Sequence, residues 1–290
     1  MIHRDALAGE TDLEAASFQY GFHEDDELRS RFMRRLILCD STATGAVSSA
    51  CAIPKVLIRF WHNSDEVPDD VQECLRSWSA LERDGFEVTI YDDVSAAAYI
   101  SNVYGPDHAA AFAHCRHPAM RSDYFRLCYM LSSGGFYVDA DDVLTEGYWP
   151  LLYGDNRLKL HPLCYDVPSG TMVDSAELWD PNAREDGRIY YVNNNPLVAP
   201  PGHPVLQQAL ERATAALLNN PSPSDIQSTT GPGNLTAVLA AHAHALALAD
   251  RPPDFALLRS WDRVAKTRWN LTYRADDRNW RNFNWSSHGQ

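Results

Sequence analysis

The sequence predicts an α/β domain with a mostly parallel sheet. Three observations predict it. Short apolar runs alternate with stretches of helical periodicity from Val56 to Val138. The composition, 45% hydrophobic and 22% charged over 290 residues, is that of a globular chain. The third run, Phe136 to Val138, enters the acidic cluster Asp139-Ala140-Asp141-Asp142, and ligands on such sheets sit beyond the carboxyl ends of strands.

Residues 1–50 read as an N-terminal helical accessory segment, and 51–290 as the main domain. In the accessory segment, Asp26 to Cys39 predicts a helix with Leu28, Phe32, Leu36 and Ile37 on one stripe. Asp40 to Ala50, rich in Ser, Thr, Ala and Gly, reads as a loop. The main domain opens at Ile53-Pro54-Lys55. Val56 to Trp61 is a short strand of the buried kind. Pro68 then opens a helix carrying Val71, Cys74, Leu75, Trp78 and Leu81. Phe86 to Tyr91 alternates as a second strand, and Asp92 or Asp93 can cap the next helix. Ala119 to Leu131 is a helix stopped by Ser132-Ser133-Gly134-Gly135, before the third strand.

The second half is less regular. Tyr190 to Val192 and Leu197 to Ala199 read as strands around an asparagine turn. Pro204 to Leu218 and Gly233 to Ala249 read as helices. The Pro- and Gly-rich stretch from Asn219 to Asn234 is a surface or substrate loop. The tail from Arg263 is aromatic and polar, and 263–290 is a candidate lid over a site.

Asp139-x-Asp141 carries the sharpest chemical signal. Residues two apart on an extended chain point to the same side. Two such carboxylates suit one Mg²⁺ or Mn²⁺ and leave coordination positions for phosphate oxygens. Asp123 and Arg126, spaced i, i+3, are neighbours on one helix face. As an exposed pair they would contribute about 0.3 kcal/mol. Asp accepts from sugar hydroxyls and Arg donates in a rigid fork, so the pair also suits a polyhydroxylated ligand. His114…His117, just before Pro118, reads as helix-end chemistry, and His242…His244, at i, i+2 on a helix, cannot easily face one ion.

Composition excludes other classes. The formal charge of −14 disfavours a nucleic-acid backbone reader. A nucleotide's phosphates would meet a cation and local arginines instead. Only three of the 25 basic residues are lysines, as in chains from GC-rich genomes. The six cysteines are dispersed, with no C-x-x-C, which argues for isolated thiols in a reducing compartment. No stretch approaches the ~18 apolar residues of a membrane span, and no secretory signal is recognised. The expected location is cytoplasmic. P-loop, GxGxxG, GxSxG and HExxH patterns are absent.

Together the motifs resemble one family. Ile53-Pro54-Lys55…Trp61, Pro68, Ser77-Trp78 and Tyr91-Asp92 follow the opening of the DXD-containing, OCH1-like sugar transferases. Ser122-Asp123…Arg126…Leu131…Gly134-Gly135…Tyr137…Asp139-Ala140-Asp141 is similar to their central signature. Asn193 to Asn195, Ala199-Pro200…His203-Pro204 and Thr230-Gly231-Pro232 resemble their later segments. The resemblance covers roughly residues 53–235, and the glucosylating clostridial toxins share its signature. It implies a GT-A, Rossmann-like fold with extra helices, a nucleotide-sugar donor, Mn²⁺ (or Mg²⁺) and a retaining transfer. By position, Asp123 and Arg126 would hold the donor sugar, and Asp139 would contact ribose and sugar. Asp141 would bind the metal with Asp139, and Trp61 would lie near the base. Asn282, Asn284 and Trp285, with Trp280 as alternative, are the candidates to close over diphosphate and metal. The usual family histidine is Ile58 here, followed by Arg59 and Phe60. The expected function is a metal-dependent retaining glycosyltransferase, with a UDP-sugar favoured and a glycan, lipid or natural product as acceptor. The alternatives are a toxin-like transferase acting on protein and a non-catalytic nucleotide-sugar binder.

Overall fold

The computed structural model describes residues 25–40, 51–145, 147–220 and 225–283. In chain order the elements are α1 (Asp26–Asp40), β1 (Val56–Phe60), α2 (Asp69–Ser77), β2 (Glu87–Tyr91), α3 (Asp93–Tyr104), α4 (Pro106–Ala113) and α5 (Pro118–Ser132). β3 (Gly135–Tyr137), β4 (Asp142–Leu144), β5 (Leu158–Asp166), β6 (Thr171–Met172), α6 (Ser175–Leu178) and β7 (Arg188–Ala199) follow. The chain continues through α7 (Pro204–Asn219), α8 (Ile226–Thr229), α9 (Pro232–Leu248), β8 (Phe255–Leu257), α10 (Trp261–Val264) and β9 (Ala265–Thr267).

Among the described residues, seven strands form one sheet in the order β2-β1-β3-β7-β5-β6, with β8 also paired to β5. The sheet is parallel across β2-β1-β3 and between β5 and β8. It is antiparallel where β7 lies between β3 and β5. β4 and β9 make a separate antiparallel pair. The sequence missed β5, whose neighbour β7 is formed by residues far along the chain.

Local chemistry explains the element ends. Asp92 caps α3 in a reciprocal box with Ser95. His117 caps α5, its Nδ1 accepting from Ala119 N at 3.0 Å, and Pro118 takes the first helical position. α5 ends at the double glycine for two reasons. Gly134 and Gly135 have φ of +66° and +109°, and a Cβ on Gly135 would lie 2.6 Å from the Val56 carbonyl oxygen. Only glycine lets β3 approach β1 this closely.

Asn193 to Asn195 do not make a turn. They lie inside β7, which runs unbroken from Arg188 to Ala199, and the irregularity falls on β5 between Leu160 and His161. Asn194 and Asn195 have tertiary hydrogen-bond partners, which override their local turn preference.

α1 shares the core of the main domain. Phe32, Met33, Leu36 and Ile37 are buried in the same cluster as α5, α7 and α9. Ser30 bridges to β7, accepting from Tyr190 N at 2.9 Å and donating to Arg188 O at 3.1 Å. No described helix is long and apolar enough to cross a membrane.

Candidate active site

α5 brings the first site residues. It is buried along most of its length, from Met120 to Met130. Asp123 and Arg126 therefore do not form the exposed pair that their spacing suggested; they are 7% and 4% exposed. Arg126 Nη2 lies 3.1 Å from Asp123 Oδ1 and 3.0 Å from Asp139 Oδ1. It also donates to Ser122 Oγ, while Nη1 donates to Asn194 O at 2.9 Å. The guanidinium stacks over Tyr137 at 4.1 Å. Tyr137 OH donates to Asp139 Oδ1 at 2.9 Å. One arginine thus ties a helix carboxylate to the first carboxylate of the acidic cluster.

The asparagines of β7 complete the frame. Asn194 Nδ2 donates to Asp123 Oδ1 at 2.8 Å. Asn195 Oδ1 accepts from Asp139 N, and its Nδ2 donates to Asp142 Oδ2 at 2.7 Å. Thr230 approaches Asp123 Oδ2 at 3.4 Å. Arg59, fully buried, donates to Cys74 O and to the carbonyls of Asp139 and Asp142. It clamps the backbone of the acidic cluster from behind.

Asp139 and Asp141 do face one cavity, but strand alternation is not the cause. The chain leaves β3 and turns at Ala140-Asp141, with Asp142 N donating to Asp139 O. The turn presents both carboxylates to a cavity of about 740 Å³. Asp142 turns inward. It is fully buried and accepts from Thr267 at 2.6 Å as well as from Asn195.

Burial and mutual repulsion set the electrostatics. Burial raises Asp123 to about 7 against the pull of Arg126. Burial raises Asp142 to about 7 as well, helped by neighbouring Asp141. Asp141 is raised by burial and then by Asp139. Desolvation lowers Arg59 to about 10. For Arg126 the surrounding Asp139, Tyr137 and Asp123 outweigh burial, so its charge is held. In a chain of formal charge −14, the same cavity gathers Arg126, Lys266, Arg274, Arg278 and Arg281. That combination of carboxylates and forks suits a diphosphate with a cation.

The remaining expected residues fall as follows. Trp61 lines the cavity, packs edge-to-face on Tyr273 and donates to Glu66 O. Trp280 lines it too. Asn282 uses its amide on the carbonyls of Arg274 and Asp276. Asn284 and Trp285 lie outside the described residues. The tail forms one wall, because β9 pairs with β4 directly after the acidic turn. The stretch read as a loop from Asn219 to Asn234 instead holds α8 and the start of α9, and Ile226 and Gln227 of α8 reach the site.

Sequence reasoning missed Tyr273 and Arg274. Tyr273 OH donates to Asp141 Oδ2 at 2.9 Å, and Arg274 ion-pairs with the same oxygen. No local pattern marks them, since they stand 132 and 133 residues from their partner. His117, beyond its cap, bonds Asp277 O through Nε2 and packs on Phe283.

A family model described as the glycosyltransferase sugar-binding region containing a DXD motif matches residues 68–157. That span holds Asp123, Arg126, Asp139 and Asp141. The initiation-specific alpha-1,6-mannosyltransferase of Schizosaccharomyces pombe is 26% identical over 172 residues, 56% of this chain and 40% of that protein. Its namesake in Saccharomyces cerevisiae is 22% identical over 197 residues, 59% of this chain and 41% of that protein. This chain spans about two fifths of the length of these curated relatives. A solved structure titled PaToxG Glycosyltransferase aligns over 93% of this chain and 97% of its own, at a TM-score of 0.45 and 14% identity. The chain resembles the DXD-containing, OCH1-like sugar transferases, and its architecture is α/β around one mixed sheet.

Proposed function

Because residues 68–157 match the sugar-binding region of the DXD-containing glycosyltransferases, we propose that this chain transfers a hexosyl group from a nucleotide-sugar donor. The observation that carries the reading is the joined frame Asp123–Arg126–Asp139, with Asp141 beside it in one cavity. The proposed transfer retains the anomeric configuration and depends on a divalent cation, Mn²⁺ or Mg²⁺.

The donor set fits such a cation. Among the described residues no cluster of three His, Cys, Asp or Glu side chains is placed to cage a metal. Mg²⁺-like ions are held by one or two carboxylates plus substrate phosphates, and Asp139 and Asp141 supply that number. On Asp141 both hydrogen bonds from the described residues fall on Oδ2, and on Asp139 the side-chain contacts fall on Oδ1. Each keeps an oxygen for a ligand. When bound, the cation would neutralise the leaving diphosphate.

The protein's own groups do the rest. Asp139 contacts the donor sugar and ribose. Arg126 has most of its donors engaged with protein, so it fixes Asp139 and Asp123 in place. Trp61 supplies an apolar wall for the base, and Lys266, Arg278 and Arg281 face the phosphates. The bond from the anomeric carbon to phosphate breaks as the acceptor oxygen bonds the same face. The acceptor's proton goes to the departing diphosphate.

The test is a screen of UDP- and GDP-sugars for slow hydrolysis, reading released nucleoside diphosphate with Mn²⁺ and with chelator. A UDP-hexose is the favoured donor; a mannosyl donor enters because the yeast relatives are named mannosyltransferases. Release by at least one donor, abolished by chelator, is the expected result. Binding of a donor with no release by any would leave a nucleotide-sugar binder, and no binding at all would refute the reading.

A further inference from the structure

Arg274 occupies an unusual place for an arginine near the end of a chain. It lies in the short turn Thr272–Ala275, and its side chain is 17% exposed. Nη2 pairs with Asp141 Oδ2, the oxygen that Tyr273 also reaches. The guanidinium stacks 4.5 Å over Trp269. Its backbone carbonyl accepts from Asn279 at 2.9 Å and Asn282 at 3.0 Å. The arginine is therefore held from three directions, while part of its fork is unused. Nε is buried with no hydrogen-bond partner, and Nη1 has none among the described residues.

Two facts follow from charge. A guanidinium on Asp141 opposes a divalent cation at the same carboxylate. Unused donors of a planar fork, in a cavity that suits a diphosphate, are ready to donate to phosphate oxygens.

We infer that Arg274 is a diphosphate-binding residue that rests on Asp141 until a nucleotide arrives. This rests on the reading of Asp141 as a cation ligand. The nucleotide's phosphates draw the guanidinium from Oδ2, and the freed carboxylate then accepts the divalent ion. Cation and nucleoside diphosphate consequently bind with positive coupling, and Arg274 is the residue that couples them.

The test measures binding rather than turnover, on the full chain. Free Mn²⁺ is followed by electron paramagnetic resonance. UDP or GDP, whichever the wild type binds more tightly, is followed by calorimetry. Arg274→Ala should bind Mn²⁺ alone at least ~10-fold more tightly than wild type. In saturating Mn²⁺ it should bind the nucleotide at least ~10-fold more weakly, so that the coupling shrinks toward one. General loosening of the site would weaken both. Arg274→Gln, which keeps length and polarity, should show the same two signs and serves if the alanine variant does not fold.

Unchanged or weaker Mn²⁺ affinity in the folded variants overturns the inference, and so does unchanged nucleotide affinity. Asp141→Asn separates it from its premise. If Asp141→Asn removes Mn²⁺ binding yet Arg274→Ala does not tighten it, Arg274 alone is misassigned. If the gain in Arg274→Ala survives Asp141→Asn, the cation sits elsewhere and the premise fails too.

Discussion

Arg126→Ala separates the buried reading of the α5 pair from the exposed one. As a surface pair, Asp123 and Arg126 would contribute under ~1 kcal/mol, and the variant would melt within a few degrees of wild type. The structure gives a different magnitude. Truncation removes the cation from Asp123, which is 7% exposed, and from Asp139, and it empties the stacking position over Tyr137. Breaking one side of a buried pair costs about 3–5 kcal/mol. At ~2–4 °C per kcal/mol for a chain of this size, the melting temperature should fall by ~6–20 °C. The loss also depends on pH. Burial raises Asp123 to about 7 in the wild type and higher without Arg126, because the main charge opposing burial is then gone. A carboxyl group raised on folding binds more protons in the native state, so stability falls as pH rises through its folded pKa. At about pH 6 Asp123 is mostly protonated in both proteins; at about pH 8 it is ionised in wild type and resists ionisation in the variant. The stability difference should therefore be larger at the higher pH. Urea unfolding of both proteins at the two pH values, with chelator present, measures it. A melting temperature within ~2 °C of wild type, or a difference that shrinks with rising pH, would refute the reasoning. Asp123→Asn added to Arg126→Ala should recover part of the loss, because no charge on α5 is then left unpaired.

Four further outcomes follow from the same geometry. Asp141→Asn should lower donor turnover by at least ~100-fold, with chelator doing the same to wild type; full turnover in excess chelator would exclude the cation. Asp142, raised on folding to about 7, should make the chelated protein lose stability as pH rises from ~4 through ~7. Asp142→Asn should flatten that slope, as melting temperatures across the range would show. Phe32→Ala should cost ~3–5 kcal/mol in urea unfolding, since this side chain of α1 is 1% exposed in the main core; a loss below ~1 kcal/mol would make α1 dispensable. Gly135→Ala should destabilise by ~1–3 kcal/mol or fail to fold, because its Cβ would meet the Val56 carbonyl at a φ of +109°. Unchanged stability there would show that β3 can retreat from β1.

The sequence by itself determined what short-range physics encodes. Apolar period, Asp92 with Ser95, Pro118 and the double glycine set the order strand, helix, strand, and carry the chain into Asp139 and Asp141. Composite spacing singled out Asp123 and Arg126. The tertiary structure decided how those residues are used. Nothing within a few residues of Arg126 shows that α5 is buried on nearly every side, so an i, i+3 pair that reads as exposed is an interior one. Asn194 and Asn195 belong to a strand because Asp123 and Asp142, 71 and 53 residues away, take their amides. Asp141 and Asp142 are adjacent and chemically alike. The turn after β3 sends the first to the cavity and the second into the core, where Thr267 and Asn195 satisfy it. Arg59 and Arg274 reach the acidic turn from opposite ends of the chain, one behind it and one in front. Such placements arise from sheet pairing and packing across long separations, and no local propensity carries them.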